Sequence, residues 1–342
     1  MNQNIVKGLL IILVIFDHNE YAHKIFPEFL SGFTFHVLGF FSLPFLRQAE
    51  FLNLAVIKRM FYSYLFPYIW IVCALAVVTA TLQQTFTITA ITRTLHAIYS
   101  GEALSLKAAT QMSLLWFLPS FFSLMFLRGL FTTVSKRVRY ILFFIIFVLH
   151  FWLGLTPPEY RAYFPLGILA ALYSLPNIAL VIFLNESLLK KLNSSLALAL
   201  TIVSFILIKS VQMKWGLYQE LGFLELASLR NPLDLLVNDA EAILGALLVF
   251  QLARFSLGEW IALCGKFSLQ IYLFHAFFAL AIYKLSLTFT HIDPMVLLVL
   301  SIALTVILTT LSVRYVFGYP TMRRICFPKS FNELWSPRSS IS

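Results

Sequence analysis

The sequence is poor in charged residues, cysteine and soluble-enzyme motifs. Only 12% of its 342 residues are charged, whereas soluble globular domains carry about 25%. The cysteines (Cys73, Cys264 and Cys326) are odd in number and lack metal-ligand spacing, so we expect neither a metal site nor a disulfide framework. G-x-S-x-G, H-E-x-x-H, P-loop and G-x-G-x-x-G motifs are missing, which excludes nucleophile-elbow hydrolases, zincins and nucleotide-fold enzymes.

Apolar residues, in contrast, make up 60% of the chain, and its mean hydropathy is +0.86. A helix that faces lipid must be apolar around its whole circumference. The first apolar run has no small-residue cleavage site after it, so we expect it to be retained as a membrane helix. The sequence therefore predicts an all-α polytopic membrane protein with about ten transmembrane helices, near residues 4–20, 29–47, 61–82, 112–130, 139–156, 163–184, 194–209, 235–253, 268–287 and 294–314.

The net charge of +10 is explained by membrane orientation. If the N-terminus is cytoplasmic, most of the 25 Lys and Arg residues fall on the cytoplasmic side, and both termini lie there. The basic residues form no aromatic-interleaved patch, so we expect no nucleic-acid partner. We predict one membrane domain over residues 1–320 and a cytoplasmic tail over 321–342. Two long outer segments, 83–111 and 210–234, either shape an outward-facing pocket or connect helices along the interface.

Ionisable residues inside the predicted spans are functional candidates because their burial in hydrocarbon is costly. Lys7 and His18 are eleven residues apart in the first span, which places them within about 20° of one face and about 16 Å apart along the axis. A neutral imidazole can act as a general base toward a hydroxyl group, and Asp17 is a candidate to orient the ring. Alternatively, Lys7 snorkels to lipid phosphates and His18 lies at an interface.

Four further ionisable residues are open to two interpretations. His36 and His275 lie among aromatic residues of the second and ninth predicted spans, where each either lines a site or is a hydrogen-bonded core histidine. Asp239 and Glu241 fall near the start of the eighth predicted span. There they either line a site or interact favourably with the dipole of the helix N-terminus.

Five short segments occur in an informative order: Lys7-Gly8-Leu9-Leu10 through Asp17-His18, Phe35-His36-Val37-Leu38-Gly39-Phe40-Phe41, Lys58-Arg59 leading to Leu65-Phe66-Pro67-Tyr68, Leu115-Trp116-Phe117-Leu118-Pro119, and Gly265-Lys266-Phe267-Ser268 leading to Ile271-Tyr272-Leu273-Phe274-His275. Together with the ten predicted helices, this order resembles the membrane acyltransferase 3 family, the fucose-4-O-acetylase-like O-acyltransferases. The resemblance covers essentially the whole chain.

The resemblance implies an O-acyltransferase of the bacterial inner membrane with no bound cofactor. Such an enzyme moves an acyl group, usually acetyl from cytoplasmic acetyl-CoA as co-substrate, to a hydroxyl of an envelope glycan or lipid-linked sugar. The family's first-helix signature, a basic residue followed after ten residues by histidine, falls on Lys7 and His18. It implies a catalytic His18 and a donor-binding or helix-organising Lys7. The residues expected to line or support the site are His36, Trp116, Tyr272, His275, Asp239 and Glu241.

Two departures from the family pattern affect the donor side. The first-helix basic residue is usually Arg, and Lys7 offers a point charge instead of a bidentate fork. The R-x-x-R pair before the third helix is represented by Lys58-Arg59 followed by Tyr62, so only Arg59 matches directly, with Lys58 as a basic neighbour. The alternative function is a secondary transporter or flippase in which buried carboxylates and histidines relay protons or bind substrate.

Overall fold

The computed structural model describes residues 2–30, 34–46, 50–155, 163–191, 194–217, 232–255, 258–288, 292–317 and 319–328. Within these ranges the chain is helical and contains no β-strand. This confirms the predicted all-α class. Helices suit a bilayer because every interior backbone N–H and C=O group is hydrogen-bonded within the same segment.

The helices follow one another along the described ranges with short connections. They are α1 (Gln3–Asp17), α2 (Glu20–Ile25), α3 (Pro27–Leu30), α4 (Phe35–Ser42), α5 (Leu54–Met60), α6 (Phe66–Gln83), α7 (Ile88–Ser100), α8 (Ala103–Thr110), α9 (Phe117–Thr133), α10 (Lys136–Leu155), α11 (Ile168–Lys191), α12 (Ser194–Trp215), α13 (Pro232–Leu252), α14 (Glu259–Lys266), α15 (Ser268–Ser286), α16 (Pro294–Ser312) and α17 (Pro320–Cys326). Short 3₁₀ turns occupy Leu43–Leu46, Leu114–Trp116 and Pro165–Gly167, and π turns occupy Phe61–Leu65 and Val313–Phe317.

Seven helical stretches of the described chain are long and apolar enough to cross a bilayer. Their mean hydropathies range from 1.3 to 2.6. They are Pro27–Leu46, of which residues 31–33 lie outside the described ranges, Leu54–Gln83, Leu114–Thr133, Pro165–Ser187, Ser195–Trp215, Ser268–Ser286 and Pro294–Val316. The protein is therefore a polytopic integral membrane protein, as its composition predicts.

The three other predicted spans fall on α1, α10 and α13, which lie outside this set of seven. Helix α1 has 15 residues and is about 22 Å long, which is shorter than the roughly 30 Å of a bilayer core. Helix α13 carries three carboxylates, Asp234, Asp239 and Glu241, within its 21 residues. A total of ten spans and the cytoplasmic position of both termini stay predictions.

The chain divides into two compact units. The first unit comprises Met1–Leu46, Asn177–Phe223 and Leu229–Val316, and the second comprises Arg47–Pro176, Leu224–Ser228 and Phe317–Ser342. The predicted boundary between a membrane domain and a tail at residue 320 stays a prediction, and residues 329–342 of that tail lie outside the described ranges. Most of the outer segment 210–234, from residue 218 to 231, lies outside them too.

In the first unit, glycines let α1 approach α14 at backbone distance. A Cβ atom on Gly8 would collide with the carbonyl oxygen of Ile261, and one on Gly265 would lie 2.8 Å from the Gly8 nitrogen. Small residues permit such close crossings of membrane helices. On another side of α1, a Cβ atom on Gly39 of α4 would lie 3.2 Å from Cδ1 of Leu10. These contacts fix α1, and with it the polar residues at its C-terminal end.

In the second unit, the span Leu54–Gln83 is a continuous helical run with a π turn inside it. Pro67 lacks a backbone N–H, and the wider π turn over Phe61–Leu65 precedes it. The helical run begins seven residues before the predicted start at 61, so Lys58 and Arg59 lie within helix α5. Further along, the Tyr68 hydroxyl donates to the Ala97 carbonyl at 2.6 Å and joins α6 to α7.

Candidate functional site

His18 lies at the C-cap of α1, one residue beyond the helix, and its backbone N–H still donates to the Val14 carbonyl at 3.0 Å. Its ring nitrogen Nδ1 lies 2.7 Å from the same carbonyl oxygen. A carbonyl oxygen only accepts, so Nδ1 carries the proton and Nε2 carries the lone pair. The side chain is 29% exposed. His18 is therefore a partly exposed imidazole whose acceptor atom is Nε2.

Asp17 is placed between two histidines. Its Oδ2 lies 4.0 Å from Nδ1 of His18 and 3.7 Å from Nε2 of His36. The sequence makes Asp17 a candidate to orient His18, but the contact with His36 is the shorter one. The backbone carbonyl of Val14 instead determines the tautomer of His18. Asp17 is thus positioned to stabilise positive charge on either imidazole ring.

His275 of α15 packs against His18. The two ring centroids are 5.4 Å apart with an interplanar angle of 72°, an edge-to-face arrangement. His275 is fully buried, and its Nδ1 lies 2.7 Å from the carbonyl oxygen of Tyr272, so Nδ1 again carries the proton. Its Nε2 has no hydrogen-bond partner among the described residues. The Tyr272 ring lies 6.1 Å from that of His275.

Three histidines therefore converge at the C-terminal end of α1, although they come from α1, α4 and α15. His36 is close enough to His18 and His275 to interact electrostatically with both. The loop that follows His18 is also fixed, because Asn19 caps α2 and donates from Nδ2 to the Ser301 hydroxyl at 2.6 Å. The arrangement combines one partly exposed imidazole, a carboxylate and two further imidazoles.

Asp239 and Glu241 are buried in the interior of α13. Because α13 begins at Pro232, both lie beyond its first turn, where the dipole effect at the helix N-terminus has faded. Asp239 Oδ1 accepts a hydrogen bond of 2.6 Å from Asn177. Glu241 forms an ion pair with Lys209, whose Nζ lies 3.8 Å from Oε1. Both carboxylates therefore have polar partners on neighbouring helices.

Lys209 is a candidate site residue that the sequence did not indicate. The predicted span 194–209 ended at this lysine and so placed it at the membrane interface, whereas α12 continues to Trp215. Its side chain is only 4% exposed, and its charge interacts with Asp17 as well as with Glu241. Lys209 thus pairs with the buried carboxylate of α13 and lies close enough to Asp17 to interact with it electrostatically. The only signal in the sequence was its position as a lysine at the end of a predicted span.

The basic residues that are expected to bind the acyl-CoA donor belong to different units of the chain. Lys7 is half-buried in α1 of the first unit, whereas Lys58 and Arg59 are exposed on α5 of the second unit. Arg59 forms an ion pair with Glu50. Trp116 also belongs to the second unit, where it ends a 3₁₀ turn and lines a small cavity.

No group of three or more His, Cys, Asp or Glu side chains within the described ranges is arranged to hold a metal ion. No model of a known protein family, no curated protein and no solved structure matches the chain.

Proposed function

We propose that the protein is a membrane O-acyltransferase of the acyltransferase 3 type with His18 as its general base. The observation that carries the proposal is the fixed tautomer of His18. Its Nδ1–H donates to the Val14 carbonyl, which leaves the lone pair on Nε2, and the side chain is 29% exposed. A general base needs this combination of an oriented ring and an open acceptor atom.

In the proposed reaction, Nε2 of His18 removes the proton from an acceptor hydroxyl as the hydroxyl oxygen attacks the thioester carbonyl of an acyl-CoA. The carbonyl carbon–sulfur bond breaks, the CoA thiolate leaves, and the imidazolium returns its proton to the sulfur. Positive charge develops on His18 during this step. Asp17, 4.0 Å from Nδ1, stabilises that charge electrostatically. The edge contact with His275 limits rotation of the catalytic ring.

The substrates follow from the resemblance. The donor is acetyl-CoA or another acyl-CoA from the cytoplasm, and Lys7 supplies positive charge for its phosphates. The acceptor is a cell-envelope glycan or a lipid-linked sugar in the bacterial inner membrane. His36, Tyr272, His275, Asp239 and Glu241 of the first unit complete the proposed set of residues that line or support the site. The expected roles of Lys58, Arg59 and Trp116, which belong to the second unit, stay predictions.

The test is acyl transfer by the purified protein in lipid nanodiscs with ¹⁴C-acetyl-CoA and envelope-glycan extracts. We expect His18→Ala to lower the rate by about 10²- to 10⁴-fold, the usual contribution of a general base. His96→Ala, which removes an exposed histidine of α7, is the matched control and keeps the rate of the wild type. Equal transfer by the wild type and a folded His18→Ala variant would remove His18 from the mechanism.

A second candidate function is proton-coupled transport, which the buried Lys209–Glu241 pair favours. Both side chains are nearly inaccessible; Lys209 lies in a stretch long and apolar enough to span, and Glu241 lies in the eighth predicted span. Ionisable pairs inside membrane spans often serve substrate or proton pathways. Absence of both acyl transfer and CoA binding in the wild type would favour this function. Proton flux in proteoliposomes that is lost in Glu241→Gln would then support transport directly.

A further inference from the structure

The second unit contains a small cavity at the start of α8. Its walls include Gly101, Glu102, Trp116, Ser120 and Tyr173, and its volume is about 30 Å³. A volume of roughly 10–15 Å³ on this measure holds one water molecule. The cavity therefore accepts a group of one or two heavy atoms. Apart from Glu102, its lining is apolar, aromatic or uncharged.

Glu102 lines this cavity and carries a buried carboxylate oxygen without a hydrogen-bond partner among the described residues. Glu102 is the N-cap of α8. Its Oε2 accepts hydrogen bonds from the Ser105 N–H at 3.1 Å and from the Ser105 hydroxyl at 3.4 Å. The residue is 8% exposed, and its Oε1 has no hydrogen-bond partner within the part of the chain that the structure describes. Glu102 also forms no ion pair with a described Lys, Arg or His. A buried carboxylate without a cationic partner is costly.

The cavity walls are held in place by close backbone contacts. Gly101 and Gly167 both have positive φ angles, 63° and 60°, a conformation that costs glycine little. A Cβ atom on Gly101 would lie 2.7 Å from Cβ of Pro119, so the chain passes this point only without a side chain. The Tyr173 ring is stacked on His150 at 4.3 Å. The cavity is therefore preformed.

We propose that this cavity binds a primary ammonium group. Such a group has the size of the cavity, offers N–H donors to Oε1 of Glu102, and supplies the positive charge that the buried carboxylate lacks. The aromatic side chains of Trp116 and Tyr173 in the wall favour a cation as well. The ammonium group belongs either to a soluble amine, such as an amino sugar, or to a phosphatidylethanolamine head group. This site does not depend on the proposed acyl transfer.

The proposal is tested with the full-length protein in nanodiscs of phosphatidylcholine and phosphatidylglycerol, which contain no primary amine. Methylammonium chloride is the probe, and the midpoint of thermal unfolding is the readout. We expect a saturable increase with methylammonium and none with methanol, a neutral molecule of the same size, or with sodium chloride at equal ionic strength. An equal increase with methanol would overturn the proposal, because the charge would then not be recognised.

Two isosteric variants locate the site. Glu102→Gln keeps an oxygen for the Ser105 N–H but removes the negative charge, and we expect it to weaken methylammonium binding at least tenfold. Asp293→Asn is the matched control, because Asp293 is an exposed N-cap carboxylate of α16 that accepts from Met295 N–H at 2.7 Å. Unchanged binding in Glu102→Gln would overturn the proposal. If Glu102→Gln does not fold, the comparison of methylammonium with methanol in the wild type still decides.

A lipid arm of the experiment distinguishes the two sources. Nanodiscs that contain phosphatidylethanolamine stabilise the wild type but not Glu102→Gln if the lipid head group occupies the cavity. Added methylammonium then has no further effect on the wild type. If the lipid has no effect and methylammonium still binds, the ligand is a soluble amine.

Discussion

Removing one partner of the Lys209–Glu241 pair should destabilise the protein strongly. Glu241 is completely buried, Lys209 is 3% exposed, and their charged atoms are 3.8 Å apart. Neither oxygen of Glu241 has a hydrogen-bond partner among the described residues. Loss of Lys209 would therefore leave an uncompensated carboxylate between α12 and α13. Breaking a buried ion pair in this way costs about 3–5 kcal/mol.

The perturbation is Lys209→Met, which keeps an unbranched side chain, one heavy atom shorter, and removes its charge. We expect the free energy of unfolding to fall by about 3–5 kcal/mol. Glu241→Gln alone should be destabilising for the converse reason, because it leaves a buried ammonium group. The double variant removes both charges and should lose less than the sum of the two single variants by at least about 2 kcal/mol, a coupling expected of groups in direct contact.

The assay is reversible unfolding in mixed micelles, followed by circular dichroism. Lys214→Met is the matched control, because Lys214 lies on the same helix and is exposed. It should change the free energy of unfolding by less than about 0.5 kcal/mol. A Lys209→Met variant as stable as this control would refute the inference that the pair is buried. Strict additivity in the double variant would refute the contact itself.

Three further predictions concern packing, a buried hydrogen bond and the proposed reaction. Gly265→Ala should destabilise by about 1–3 kcal/mol, because its Cβ atom would collide with the Asn4 carbonyl oxygen and lie 2.8 Å from the Gly8 nitrogen; thermal unfolding measures this. Asn177→Ala should cost about 1–3 kcal/mol, because Asp239 would lose its 2.6 Å hydrogen bond inside the first unit; the unfolding free energy measures it. Asp17→Asn should lower kcat about tenfold with little change in KM if the carboxylate stabilises charge that forms during proton transfer; steady-state acyl transfer separates the two constants.

Each of these predictions has a control and a contradicting result. Ala55→Val adds volume at an exposed site of α5 and should leave the melting temperature unchanged; an equally stable Gly265→Ala would mean that α1 and α14 are not in backbone contact. Asp239→Asn keeps an oxygen that can accept from Asn177 and should cost less than Asn177→Ala. A rise in KM without a fall in kcat in Asp17→Asn would assign Asp17 to substrate binding instead of charge stabilisation.

The candidate residues of the histidine cluster could be found in the sequence, but their grouping could not. His18, His36 and His275 each stand out because an ionisable side chain in an apolar run is costly. Helical spacing relates residues of one helix only, so it says nothing about contacts among α1, α4 and α15. The hydrogen bond of His18 to Val14 also depends on the exact end of α1, which periodicity does not locate within a residue.

The two buried carboxylates show how helix boundaries change an interpretation. The predicted start of the eighth span at 235 left Asp239 and Glu241 close to a helix N-terminus, where dipole stabilisation was an alternative. The observed start at Pro232 and the continuation of α12 to Trp215 place both carboxylates and Lys209 inside helices. Boundaries are weakly encoded because polar residues that pair inside a bundle resemble, in sequence, polar residues at a membrane interface.

The sequence by itself determined that this protein is helical and lies in a bilayer. Transfer of a segment into hydrocarbon depends on the summed polarity of about 20 neighbouring residues, and a backbone in hydrocarbon must satisfy its hydrogen bonds locally, so both properties are readable from a linear chain. The tertiary structure alone decided that Asp17 lies beside His36, that His18 packs on His275 and that Lys209 pairs with Glu241. These contacts join residues up to 257 positions apart, and their geometry follows from helix packing, such as the close crossing at Gly8 and Gly265, which no local property of the chain specifies.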